Sequence, residues 1–279
     1  MTIEVTPLSP YVGVEITGMS GPLAFDADAA ERCQQLLDRH GVVVFRDANI
    51  DDDTLVAFSG RMGTLVVQPT GENTHPEIQT ITMQPGVTNP VLAMYRRGNF
   101  FWHIDGATDA TPQKGTFLSA RETDDSGRGG TEFATTYAAY DALPDDDKRL
   151  IDGLTVVHSF ATAQQRANPD ASPEFRATWN RVPERTHPLV WKRSDGRRSL
   201  LLGATAGRVV GWSQEDSDAL LQRLLDWATQ PQFVIHHQWR KGDLVTWDNT
   251  GMLHRAMPFE PTSPRLLHRT TLVGQEQVA

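Results

Sequence analysis

The sequence predicts a mainly β fold with covering α-helices, and three observations carry that prediction. Strand-like segments of four to eleven residues dominate the chain from about residue 77 to its end. Helical periodicity is confined to a few stretches: Asp26–His40, Asp53–Met62, Tyr137–Asp152 and Ser213–Thr229. Strands and helices do not alternate as a doubly wound parallel sheet requires, and no G-x-G-x-x-G follows a strand.

Taken in order, Asp26–His40 carries Ala30, Cys33, Leu36 and Leu37 at helical spacing, with Gly41 as its stop. Val42–Phe45 reads as a buried strand and Asp53–Met62 as a second helix, and residues 69–77 are loop by composition. EIQTITM, VLAMYR, FFWHIDG and GTFLSARE then read as successive strands. Tyr137–Asp152 is helical around Leu143-Pro144, and LTVVHSF is another strand. Residues 161–185 hold three prolines and no clean period, which predicts a long mobile segment, a lid. PLVWKRSDGRRSLLLG is a hairpin turning at Asp195-Gly196. Ser213 caps the helix that ends near Thr229, whose apolar stripe is Leu220, Leu221, Leu224, Leu225 and Trp227. QFVIHHQW, DLVTW, MLHRAM and PRLLHRTTLVG close the chain as strands, with turns at Lys241-Gly242 and Asp248–Gly251.

With 279 residues, 39% of them hydrophobic, the chain can bury a substantial core, and it is read as one domain over 1–279. A formal charge of -9 disfavours a phosphate backbone as partner. Cys33 is the single cysteine, so an internal disulfide and a cysteine-rich zinc site are excluded. No apolar run approaches the ~18 residues of a membrane span, and the N-terminus lacks a basic segment followed by an apolar one. The expectation is a soluble, cytoplasmic protein.

Chemistry concentrates in FFWHIDG. On a strand, residues i and i+2 share a face, so His103 and Asp105 project together near an end marked by Gly106. A carboxylate among apolar neighbours is costly unless partnered. With one more histidine the pair would form a 2-His-1-carboxylate facial site with open positions, the arrangement of non-haem Fe(II) oxygenases. The pair read alone is equally a structural hydrogen bond. Candidates for the third ligand are His158, His187, His236, His237, His254 and His268; His254 stands out because Arg265 and Arg269 follow it on one strand face. An arginine fork suits a carboxylate, although the same pair also fits a solvated edge strand.

His103-x-Asp105, the Trp247-Asp248-Asn249 turn, His254 and the Arg265/Arg269 pair together resemble the TauD/TfdA family of Fe(II)- and 2-oxoglutarate-dependent dioxygenases. The likeness runs from TPLSPYVGVEITG through HGVVVFRD and GGTEFATTYAAYDALP to HRTTLVG. It implies a double-stranded β-helix (a jelly roll, cupin-like). It further implies Fe(II) held by His103, Asp105 and His254, with 2-oxoglutarate and O2 as cosubstrates. The far carboxylate of 2-oxoglutarate falls to Thr131 and Arg265, with Trp247 beside it, and an acidic group of the prime substrate falls to Arg269.

Gln68, Leu92, Met94, Asn99 and Phe160 are candidates for the substrate side. Relatives often read Gly-Gly-Asp-Thr where this chain has Gly129-Gly130-Thr131. Gln68 stands where taurine-specific members carry histidine, and the chain is closer to the aryloxyacetate (2,4-D) branch. The implied reaction hydroxylates a C–H of a small anionic substrate and yields succinate and CO2; homo-oligomers are common among relatives. Two rival readings use the same ligands: a non-catalytic metal-binding jelly roll and a zinc hydrolase.

Overall fold

The computed structural model describes residues 2–67, 74–124 and 126–279. Strands β1 (Glu4–Pro7) and β2 (Val14–Thr17) lead to helix α1 (Ala27–His40), strand β3 (Val42–Phe45) and helix α2 (Asp52–Arg61). Strand β4 (Gln79–Ile81) and helix α3 (Pro90–Arg96) precede strands β5 (Gly115–Glu122) and β6 (Thr131–Thr135) and helices α4 (Thr136–Asp141) and α5 (Asp145–Ile151). Next come β7 (Thr155–His158), α6 (Phe160–Ala167), α7 (Pro173–Trp179) and the short strands β8 (Arg185–Pro188), β9 (Val190–Lys192), β10 (Arg198–Leu200) and β11 (Ala206–Val209). Helix α8 (Gln214–Ala228) is followed by β12 (Val234–His237), β13 (Leu244–Asp248), β14 (Met252–Ala256) and β15 (Leu266–Leu272).

The architecture is a jelly roll. A seven-stranded sheet runs in the order β1-β2-β3-β13-β5-β15-β4, and a three-stranded sheet in the order β12-β6-β14. Phe133, Ile235 and Met252 of the small sheet share a buried cluster with Val42, Val44, Leu118, Val245, Trp247 and Leu267 of the large one. The alternate residues Val43, Phe45, Leu244 and Phe117 belong to a second cluster, under α1 and α2, with Cys33, Leu37, Leu55 and Phe58. Because side chains alternate faces along a strand, the continuous apolar run Val42–Phe45 marks a strand covered on both sides. A third cluster packs Leu220, Leu221 and Leu224 of α8 against Tyr140, Trp191 and Leu200.

Local signals account for most boundaries. Asp26 caps α1 by accepting from the Ala29 amide, and Gly41 ends it at φ 72°. Asp51 caps α2, and Ser213 caps α8 by accepting from the Asp216 amide. The hairpin at Asp195-Gly196 forms, with Arg198 opposite Lys192.

Three expectations need correction. Residues 91–96 are helical, because Asn89 accepts from the Leu92 amide and Pro90 occupies the first helical position. FFWHIDG is no strand: a 3-10 turn ends at Phe100, a single bridge forms at His103, and the chain turns at Asp105-Gly106. Residues 161–185 are not irregular. Ser159 caps α6, Pro173 starts α7, and fully buried Trp179 anchors the end of α7. Of the loop expected at 69–77, residues 69–73 lie outside the described residues, as does Gln68. No helix among the described residues is long and apolar enough to cross a membrane.

His158 on β7 is fully buried, with its Nδ1 against Thr205 Oγ1 at 2.9 Å and its Nε2 without a partner among the described residues. Burial, reinforced by His187, pushes its pKa down to about 3. The unfolded chain titrates this imidazole near ~6.5, so below that pH it takes up a proton the folded chain refuses. The contribution of His158 to stability is therefore complete above pH ~6.5 and is lost as pH falls toward 3. In urea titrations of the metal-free protein between pH 6 and 4, wild type should lose about 1.4 kcal/mol per pH unit more than His158→Gln. Parallel pH profiles would show that this imidazole is not held neutral by the fold.

Candidate metal centre

His103 and His254 come together because their backbones pair. The His103 amide donates to the His254 carbonyl at 3.0 Å, and the His254 amide returns a bond to the His103 carbonyl at 2.9 Å. This antiparallel bridge adds His103 beside β14, on the edge of the small sheet. The imidazole rings then lie 4.1 Å apart between centroids. Behind them, the Ala204 amide donates to the Trp102 carbonyl at 2.7 Å. Gly203, at φ +105°, lets this chain pass close enough that a Cβ there would sit 2.6 Å from the Trp102 oxygen and 3.0 Å from the His103 Cα.

Asp105 reaches the same point from the turn that follows. Its Oδ1 lies 4.0 Å from His103 Nε2, and its Oδ2 lies 3.6 Å from His254 Nε2. One ligand atom from each of the three residues falls within 4.8 Å of the others. The carboxylate is held by a relay: Trp247 Nε1 donates to Asn249 Oδ1 (2.7 Å), Asn249 Nδ2 to Thr116 Oγ1 (2.9 Å), and Thr116 Oγ1 to Asp105 Oδ2 (3.0 Å). The Trp247-Asp248-Asn249 turn thus orients a carboxylate on a distant segment. Trp247 also packs on the His254 ring at 4.7 Å.

Protonation suits a divalent metal. His103 Nδ1 faces the Phe101 carbonyl at 2.8 Å; that oxygen only accepts, so Nδ1 carries the hydrogen and Nε2 presents a lone pair. Burial lowers the pKa of His103, and burial followed by His103 lowers that of His254 to about 3, so both rings are neutral at pH 7. Burial opposes ionisation of Asp105, but the Arg269 guanidinium, with the Thr116 hydroxyl donating to the carboxylate, outweighs it and holds the carboxyl well below its usual range. Two neutral imidazole nitrogens and one carboxylate oxygen form a donor set that fits a ferrous ion.

A cleft opens beside this cluster. Of the anticipated residues it is lined by His103, His254, Thr131, Trp247, Arg265, Arg269 and Asn99. Thr131 and Arg265 share the cleft although the chain lacks the extra residue after Gly130, because the Arg265 Nε donates to the Gly129 carbonyl at 2.9 Å. Thr131 Oγ1 accepts from Trp239 Nε1 at 3.0 Å.

Arg265 is only 4% exposed, packs on the Phe259 ring at 4.9 Å, and has no carboxylate within ion-pair distance among the described residues. Burial lowers its pKa to about 10, so it stays charged at neutral pH. Arg269 donates to Asp105 Oδ2 at 2.7 Å, to Gln113 Oε1 at 3.2 Å and to Thr271 Oγ1 at 3.1 Å, which leaves its Nη1 for a ligand.

Leu92, Met94 and Phe160 do not line the cleft. With 90–96 helical, the Met94 carbonyl faces Asn168 and the Phe160 ring packs edge-on to Tyr95, behind the wall. Gln68 lies outside the described residues. Missed from sequence were Arg96, Phe100 and Phe259, which do line it; Phe100 opens FFWHIDG but a strand reading gave it no role, Phe259 has no motif-like neighbourhood, and the strand reading of VLAMYR hid the placement of Arg96.

Comparison with known proteins agrees with this geometry. Residues 4–271 match the family described as "Taurine catabolism dioxygenase TauD, TfdA family". The alpha-ketoglutarate-dependent 2,4-dichlorophenoxyacetate dioxygenase of Burkholderia sp. (strain RASC) is 33% identical over 288 residues, spanning 99% of this chain and 96% of that protein. An alpha-ketoglutarate-dependent sulfate ester dioxygenase of Pseudomonas putida is 30% identical over 285 residues, spanning 100% and 92%. Among solved structures, that of AAD-2 in complex with Mn(II) and N-oxalylglycine superposes with a TM-score of 0.82 at 29% identity, covering 100% of both chains.

The close approach at Gly203 generates a prediction. Gly203→Ala forces the Trp102–His103 backbone away from β14 and should weaken Mn(II) affinity by about tenfold to a hundredfold, the usual penalty for disturbing the support of a ligand. Calorimetric titration of metal into the anaerobic protein measures it, with Gly211→Ala, where a Cβ meets open space at a similar φ, as the control. Equal metal affinities in the two variants would show that Gly203 does not set the position of His103.

Proposed function

The chain belongs to the TauD/TfdA family and is an Fe(II)- and 2-oxoglutarate-dependent dioxygenase, and within that class we propose that it hydroxylates a small organic acid of the aryloxyalkanoate or alkyl sulfate kind. His103, Asp105 and His254 would hold the iron. Bound iron would supply the activation of O2, which is the oxidant: one of its oxygen atoms would end in the carboxylate formed as 2-oxoglutarate loses CO2 to become succinate, and the other would turn a substrate C–H into C–OH.

The observation that carries the site assignment is the buried guanidinium of Arg265, charged and lining the cleft without a carboxylate partner among the described residues. An uncompensated buried charge costs several kcal/mol, which a carboxylate arriving from outside offsets. The fork of Arg265 would receive the far carboxylate of 2-oxoglutarate, assisted by the Thr131 hydroxyl. The near end of the same molecule would then fall toward the metal ligands. Arg269 would use its remaining donors on the acidic group of the prime substrate, and Asn99 and Phe100 would border the ring or alkyl portion. Walls built of Ile81, Leu118, Trp247 and Phe259 exclude water from the reacting carbon. A metal-binding module or a zinc hydrolase has no use for Arg265, and the likeness to oxygen-dependent relatives favours neither.

The test is succinate release with Fe(II), 2-oxoglutarate and a panel of aryloxyalkanoates and alkyl sulfates, with anaerobic controls. No oxygen-dependent succinate with any acid, and no 2-oxoglutarate binding, would overturn the reading. Arg265→Ala should weaken 2-oxoglutarate binding about a hundredfold, on the order of 3 kcal/mol; near-normal affinity would mean the wrong arginine has been assigned. His103→Ala and Asp105→Ala should each abolish turnover while circular dichroism stays that of wild type, and appreciable turnover in either contradicts the ligand set.

A further inference from the structure

Arg96, the last residue of α3, lines the same cleft as Arg265 and Arg269. Its Nη1 donates to the Thr82 carbonyl and to Thr88 Oγ1 (2.7 Å), and its Nη2 donates to the Thr80 carbonyl (2.7 Å). A guanidinium has five N–H donors, so two, the Nε–H among them, have no partner among the described residues. All three acceptors are neutral, and no carboxylate of the described residues lies within ion-pair distance. Arg46 meets Glu15 and Asp243, Arg121 meets Asp52, Arg193 meets Glu276 and Arg255 meets Glu132, whereas Arg166 and Arg176, like Arg96, donate to backbone carbonyls; of these three, Arg96 is the one that lines the cleft beside the metal ligands.

Topology sets Arg96 beside the other two arginines. It is tied to Thr80 and Thr82, at and just beyond β4, and β4 pairs with β15, where Ile81 faces Leu267 and Arg269 faces Gln79. Adjacent strands lie only ~4.8 Å apart, so the anchor points of Arg96 flank the stretch of β15 between Arg265 and Arg269. The charges there do not balance. Three guanidiniums and a divalent ion, set against the Asp105 carboxylate and the two carboxylates of 2-oxoglutarate, leave two positive charges. A substrate with one acidic group neutralises one of them.

We propose that Arg96 is a second anion anchor and that the prime substrate is a diacid, one carboxylate meeting Arg269 and the other Arg96. This rests on the dioxygenase reading above and narrows its substrate class. The planar fork of arginine favours a carboxylate, which it grips with paired bonds. The acidic group at Arg96 sets specificity.

The test compares phenoxyacetate with its 2-, 3- and 4-carboxy derivatives by anaerobic calorimetry on the enzyme loaded with Fe(II) and 2-oxoglutarate. At least one diacid should bind wild type about tenfold or more tightly than phenoxyacetate. That advantage should vanish in Arg96→Gln and survive in part in Arg96→Lys, which keeps the cation without the fork. The affinities of both variants for phenoxyacetate and for 2-oxoglutarate should stay near those of wild type.

A purely structural clamp would instead weaken monoacid and diacids alike, and that result overturns the proposal. So does a wild type that prefers no diacid, or an advantage that persists in Arg96→Gln. If Arg96→Gln does not fold, the same comparison in Arg96→Lys decides, since a full diacid advantage there also counts against a fork-specific grip. Failure of the underlying reading looks different: 2-oxoglutarate would not bind, or phenoxyacetate would bind Arg269→Gln as well as wild type.

Discussion

Two backbone hydrogen bonds between His103 and His254 are the constraint on which the site depends. They are of the kind that hold any antiparallel pair, and their net worth is modest, about 1 kcal/mol each. Their effect is geometric. They fix the register of a non-regular segment against the edge of the small sheet, and the register decides that two imidazoles face each other rather than opposite sides. Asp105 then needs only the two-residue step to the turn at Gly106 to complete the set. The jelly roll contributes the rigid half: β14 is paired along its length with β6, from Met252 opposite Thr135 to Ala256 opposite Thr131.

Electrostatics inside the cleft follow from burial. Both imidazoles are kept neutral because the interior penalises imidazolium, and Asp105 stays ionised because Arg269 and the Thr116 hydroxyl compensate for its burial. The same low-dielectric setting that makes the nitrogen lone pairs available also buries Arg265 as a cation with no carboxylate partner among the described residues. Donor availability on one side and anion demand on the other thus share a physical origin. Local stability is supplied elsewhere, by the phenylalanine cluster of Phe25, Phe45, Phe58 and Phe117 under α1 and α2 and by the leucines of α8.

Much of this was legible in the sequence because local and long-range signals agreed. Val42–Phe45, the stop at Gly41, the Ser213 cap and the Asp195-Gly196 hairpin each carry their own chemistry, and each forms as expected. The metal-capable set was legible through family likeness rather than through spacing, since Asp105 lies in a turn where no period-2 argument holds. What was not legible has specific causes. VLAMYR has strand-like composition, yet Asn89-Pro90 ahead of it starts a helix, and that change moves Leu92 and Met94 off the cleft and brings Arg96 onto it. Residues 161–185 lack a clean period because two short helices, separated by a turn, each show the pattern for too few residues. Burial of Trp179 is a tertiary fact that composition does not announce.

The contact between Trp239 and Thr131 reaches further than a packing detail. An indole can only give a hydrogen, so the threonine oxygen must receive it, and one of its lone pairs is spent on the interior. The hydroxyl's own hydrogen is then the group left to turn toward the cavity. A rotor that in water would point anywhere is biased, before any ligand arrives, to present its positive end. A tryptophan remote from the chemistry thereby writes a preference for anions into a neutral side chain.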